Sequence, residues 1–123
     1  LKSAAFAFAK DSGTLRFRDA KGEHVIAAGR GKWARGETGL PGTPPRLISG
    51  GAARPGTPHK IASSAAWTDE ATLELMLRYY ETPHHDSLMF KFDGDRVQLS
   101  FLNSLAKVRG TKDSRPMLQG RLG

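Results

Sequence analysis

Between residues 67 and 103, apolar and polar side chains alternate with period two in three successive runs. Leu73, Leu75, Leu77 and Tyr79 fall on one side of the first run, with Thr72, Glu74, Met76, Arg78 and Tyr80 on the other. Alternate residues of a strand point to opposite faces of a pleated sheet, so this run predicts a half-buried strand. Pro83, which has no backbone donor, and the polar His84-His85-Asp86 end it. The second run places Leu88, Phe90 and Phe92 inward. Asp93-Gly94-Asp95 then marks a hairpin turn, and the third run places Val97, Leu99 and Phe101 inward. Three strands that share an apolar face need a cover for it.

The same pattern predicts a second antiparallel meander in residues 1–35. Ala4, Phe6 and Phe8 alternate with small residues, Leu15 and Phe17 alternate with Thr14, Arg16 and Arg18, and a third strand starts at His24. Gly29 and Gly31 sit in strand context before Trp33, which predicts a bulge or a sharp bend. Residues 36–59 hold six glycines and five of the seven prolines, so they predict a long crossing loop, extended only in the short run 46–49. In both halves a run of small residues leads to a tryptophan, Trp33 and Trp67. The expectation is that each plugs a barrel end, with Trp67 buried. Residues 104–108 suit either a strand or a helical turn, and residues 117–122 read as a last short strand. The count comes to about eight or nine strands. It predicts a single all-β domain over residues 1–123, an up-and-down barrel or a sandwich, and the reading chosen is an antiparallel up-and-down β-barrel whose meanders, 1–35 and 60–122, are joined by loop 36–59.

Composition narrows the picture further. The chain has 123 residues, enough for one domain with a real core. It carries no cysteine, which excludes disulfides and thiolate metal sites. No apolar run is long enough to span a bilayer as a helix. The chain begins at Leu1, and the expectation is a fragment of a longer protein. The net charge of +7 is unevenly spread. Residues 1–36 hold eight Lys/Arg against three acids and residues 104–123 hold five against one, whereas residues 67–103 hold three against seven. A nucleic-acid groove interleaves basic and aromatic residues on one face. Here the aromatics fall mostly in the acidic stretch, so nucleic acid is not expected as a partner.

Candidate chemistry is sparse. Ser104 and Lys107 match S-x-x-K, the nucleophile-and-base spacing of penicillin-recognising enzymes, but the S-D-N and K-T-G partners are missing, and the match is read as chance. His84, His85 and Asp86 offer a metal or acid–base cluster, yet neighbours on an extended strand point apart, and a polar hairpin tip is expected. His24 and His59 join them only if the fold brings all four histidines together. Asp93 and Asp95 flank Gly94 as in part of a calcium loop, without the bidentate glutamate. Glu70, Glu74 and Glu81 show no glycosidase-type pairing. Tyr79 and Tyr80 face opposite sides. No catalytic residue, metal ligand or cofactor is assigned, and no ligand-binding residue is identified. The bulky inward set predicts a packed interior, with any cavity lying beside the small residues Ala62, Ser64 and Ala66.

Four segments, taken in order, resemble a known family: Trp67-Thr-Asp-Glu-Ala-Thr-Leu, Arg78-Tyr-Tyr-Glu-Thr-Pro, Phe90-Lys-Phe-Asp-Gly-Asp and Leu118-Gln-Gly. Together they are similar to the C-terminal region of some bacterial serine β-lactamase-like hydrolases. The likeness covers residues 61–122 well and the first half loosely. It implies a lipocalin-like antiparallel domain attached to a penicillin-binding-protein-type catalytic domain, in a periplasmic or secreted protein. The family's Ser and Lys pair belongs to that other domain, so no catalytic residue is carried over to this chain, and Ser104 and Lys107 are not at its location. The expected function is a non-catalytic accessory role, structural or in substrate access, with the catalytic domain of the same polypeptide as partner. The alternatives are a stand-alone lipocalin-like binder of a small apolar ligand and an enzyme with a barrel-mouth site.

Overall fold

A computed structural model describes residues 2–20, 22–39, 59–81 and 83–122. Most of the crossing loop, with the short run at 46–49, lies outside the described residues. The strands are β1 (Ser3–Phe8), β2 (Ser12–Asp19), β3 (Gly22–Arg30), β4 (Ala34–Thr38), β5 (His59–Trp67), β6 (Thr72–Arg78), β7 (His85–Asp93), β8 (Arg96–Asn103) and β9 (Leu118–Arg121). One helix, α1 (Ser104–Arg109), follows β8. The sheet runs β1-β2-β3-β5-β6-β7-β8-β9, with β4 paired to β5 off this path. It curls strongly into a half-barrel of eight strands, mostly antiparallel, as the period-two alternation predicted. Among the described residues, β1 and β9 are the two ends of the path and do not pair with each other.

The inner face holds the core. Leu73, Leu75, Leu77 and Tyr79 are buried in the first run of the meander, and Leu88, Phe90 and Leu99 in the next two. Leu15, Phe17, Ile26, Ala28 and Ile61 face them from β2, β3 and β5. The Phe6 ring on β1 meets Phe90 on β7 edge-on at 4.8 Å. Phe17 stacks on the same ring at 6.4 Å. Strands so far apart in the sheet order touch only because the sheet rolls up. The cavity lined by Phe6, Leu15, Ala65, Leu73 and Leu75 measures about 20 Å³, room for about one water.

The bend at the glycines is tight. A Cβ on Gly29 would lie 2.1 Å from the Lys32 carbonyl oxygen, and Gly31 has φ 67°, a conformation that glycine adopts without strain. The chain therefore reverses, and β4 runs back antiparallel to β5 from Ala34↔Ser63 to Thr38↔His59. β3 meets β5 in parallel at Gly29↔Ser64 and Arg30↔Ala65.

Several expectations need correction. On β5, the inward residues are Ile61, Ser63 and Ala65, one step out of phase from Ala62, Ser64 and Ala66. Ile61 sets the phase because it is the strand's one bulky aliphatic side chain. The small inward Ser63 is fully buried and donates its hydroxyl to the Ala27 carbonyl at 2.9 Å. Neither Trp33 nor Trp67 is a buried plug: they are 48% and 46% exposed, and Trp67 only leans on the rim rings Phe8 and Phe92. Of the two readings open for residues 104–108, the helical one holds, because Asn103 caps the start of α1 and Gly110, with φ 64°, ends it in the left-handed conformation.

Candidate functional site

The polar cluster at one end of the inner face starts from strand register. Asp86 lies on the same side of β7 as Leu88 and Phe90, and its cross-strand partner on β8 is Asn103. Asp86 is 3% exposed. It belongs to β7 rather than to a solvated hairpin tip, which corrects the expected reading of His84-His85-Asp86. A carboxylate held this deeply needs a paired, hydrogen-bonded partner. Arg115 supplies it, donating from Nη1 to Asp86 Oδ2 at 2.7 Å and from Nη2 to Oδ1 at 2.6 Å.

Arg115 also serves a second carboxylate. Its Nε donates to Asp113 Oδ1 at 2.9 Å and its Nη2 to Asp113 Oδ2 at 2.7 Å, while its guanidinium lies 4.5 Å from the Phe101 ring centre. Asp113 also accepts from the Asn103 backbone N–H at 2.8 Å and from Asn103 Nδ2 at 2.9 Å. Asn103 Oδ1 accepts from the Ala106 N–H at 2.9 Å, capping α1. The Arg115 side chain beside Asp113, helped by N–H donors from Arg115 and Asn103, holds that carboxyl well below the usual carboxylate range. Burial works against the Arg115 cation, but its bonds to Asp113 and Asp86 outweigh that and keep it firmly protonated. The cluster fastens the loop after α1 to the sheet. Every charge-bearing oxygen in it is occupied, so it has no free group for chemistry.

Ser104 and Lys107 both lie on α1. Ser104 is only 6% exposed, and its Oγ sits 3.2 Å from His84 Nδ1. Among the described residues, no hydrogen bond joins Ser104 to Lys107, which points to solvent. A serine–histidine contact is the start of a nucleophile, but here the hydroxyl is shut away from substrate, and the carboxylate nearest in sequence, Asp86, is committed to Arg115. The His84 contact is one that sequence reasoning missed, since twenty residues separate the pair. His85 titrates below the usual histidine value because it is partly buried and lies near Arg78 and Lys107.

The other candidates do not converge. His24 bonds Asp19 at 3.1 Å, whereas His59 packs edge-on against the Tyr79 ring at 5.8 Å. Asp93 and Asp95 flank the hairpin glycine, Gly94, whose φ is 57°. Glu81 pairs with Lys60 at 3.2 Å on the surface. Among the described residues, no three His, Asp or Glu side chains are grouped to hold a metal ion, and no helix is long and apolar enough to cross a membrane.

The outer face carries a patch that the sequence did not suggest. Cross-strand register aligns Arg35 on β4 and Arg78 on β6 through Ala62 of β5. Arg78 lies over the Trp33 ring at 5.4 Å, and Arg35 over Tyr80 at 5.9 Å. Both aromatics are 48% exposed. No family model, curated protein or solved structure matches this chain.

Proposed function

We propose that this chain is a non-catalytic accessory domain of a serine β-lactamase-like hydrolase, docked through its outer face onto the catalytic domain of the same polypeptide, in a periplasmic or secreted protein. The observation that carries the reading is the patch of Trp33, Arg78, Arg35 and Tyr80. Tryptophan, tyrosine and arginine are the residue types enriched where protein interfaces concentrate their binding energy. Each ring here is already ordered by a guanidinium, so little side-chain freedom is lost on docking. The patch is basic, which suits an acidic partner surface. The resemblance in residues 61–122 supports the choice of partner. The packed inner face supports a structural role over a lipocalin-like carrier, because about 20 Å³ is far below the several hundred cubic ångströms of a ligand pocket.

The full reading frame is the first test: an adjoining domain with an S-x-x-K helix supports the proposal, and its absence overturns it. In the two-domain protein, Arg35→Ala with Arg78→Ala is expected to speed proteolytic release of this domain while leaving its own melting temperature within a few degrees. Release at the wild-type rate would remove the patch from the interface.

A further inference from the structure

On the outer face of β7, β8 and β9, far along the strands from the Trp33 patch, two cross-strand rows stand side by side. One row is Lys91↔Gln98↔Gln119 and the other is Asp93↔Arg96↔Arg121. All six side chains are exposed and line a groove of about 550 Å³. Directly opposed residues on antiparallel strands have Cβ atoms about 5 Å apart, and like charges in that position repel. Arg96 and Arg121 are such a pair. Among the described residues, neither of them nor Lys91 makes an ion pair. The groove thus sets three cations against one carboxylate, Asp93, with Asp95 in the adjoining turn.

We propose that this groove binds a phosphate-type oxyanion. Arg96 and Arg121 present two planar forks to one anion, the geometry that matches phosphate oxygens. Lys91 adds a point charge from the next row. The Gln98 and Gln119 amides lie beside it and can donate to the anion or to hydroxyls of a group that bears it. A bound anion relieves the repulsion between Arg96 and Arg121 across the strand pair.

The test is an NMR titration of the ¹⁵N-labelled chain with inorganic phosphate and with glucose 6-phosphate. Glucose, and sodium chloride at matched ionic strength, serve as controls. Saturable shifts confined to residues 91–98 and 119–121 are expected with both phosphates, with about tenfold weaker binding in Arg96→Gln or Arg121→Gln. Tighter binding of glucose 6-phosphate would assign the anion to a sugar ester, and equal binding to free phosphate; both results uphold the site. These substitutions are on the surface, and Arg121→Gln is expected to melt at or above the wild-type temperature in low salt, which shows that the variant folds. Shifts no larger than those from sodium chloride, or undiminished binding in Arg96→Gln/Arg121→Gln, would overturn the proposal.

Discussion

The two ends of the rolled inner face are closed by opposite means. At one end, Asp86 and Asn103 are the last inward pair, and Arg115 and Asp113 fold over them. At the other, Phe92 and Phe6 meet at 6.2 Å, and Trp67 leans on Phe92 at 5.7 Å and on Phe8 at 6.4 Å. The first closure is charged, dense in hydrogen bonds and nearly dry. The second is apolar and wet, with Phe8 58% exposed. The difference is one of tolerance. A network of paired charges fails as a whole when one member is lost, whereas a rim of rings loses area in proportion to what is cut away.

Arg115→Ala is the sharpest way to break the charged end. It leaves two buried carboxylates without their cation, and a loss of about 3–5 kcal/mol is expected by urea denaturation. A loss under about 1 kcal/mol would show that the network is solvated. Acid probes the same end. Asp113 has its folded pKa lowered, so its contribution is present above its unfolded value, near 3.9, and fades as the pH falls through the folded one. The stability gap between wild type and Asp113→Asn should therefore shrink from pH 5 to pH 2, and a constant gap would contradict the pairing. At the ring end, Trp67→Ala should cost about 1.5–2.5 kcal/mol, roughly half the cost of truncating a fully buried tryptophan, with no pH dependence over that range. A cost of 4 kcal/mol would mean that the rim is closed in solution. Smallest of all, Ser104→Ala should cost about 1 kcal/mol, the worth of one hydrogen bond, and should leave any esterase or β-lactamase activity of the full protein unchanged. Activity lost in step with Ser104 would make it a nucleophile.

Large side chains made β6, β7 and β8 legible, because each alternate position declares its face. β5 was not legible in the same way: Ala, Ser, Ser, Ala and Ala satisfy either phase, and only Ile61 decides. A small-residue run says how closely backbones approach but nothing about the fate of the tryptophan that follows it, so the plugging role expected of Trp33 and Trp67, and the burial expected of Trp67, had no warrant in their own neighbourhoods. α1 spans six residues, too few for a 3.6-residue period to emerge, and only Asn103 and Gly110 mark its ends. The charged closure joins residues 29 apart, and no local pattern couples Asp86 to Arg115. The Trp33 and Tyr80 patch was hidden for the same reason, since pairing across β4, β5 and β6 assembles it.

The meeting of β3 with β5 has a consequence for how the molecule opens. Among the described residues, two pairs join these strands, whereas β2 and β3 are joined by eight, from Ser12↔Gly29 to Asp19↔Gly22. The sheet therefore has a seam. On one side lies a three-strand leaf, β1 to β3, held to the rest by those two pairs, the start of β4, the Ser63 hydroxyl and the core packing of Phe6, Leu15, Phe17, Ile26 and Ala28. Such a leaf can lift as one cooperative unit, at a free energy below that of global unfolding. Amide protons of β1–β3 should then exchange together and ahead of those of β6–β8, so that the protein breathes along this line before it melts.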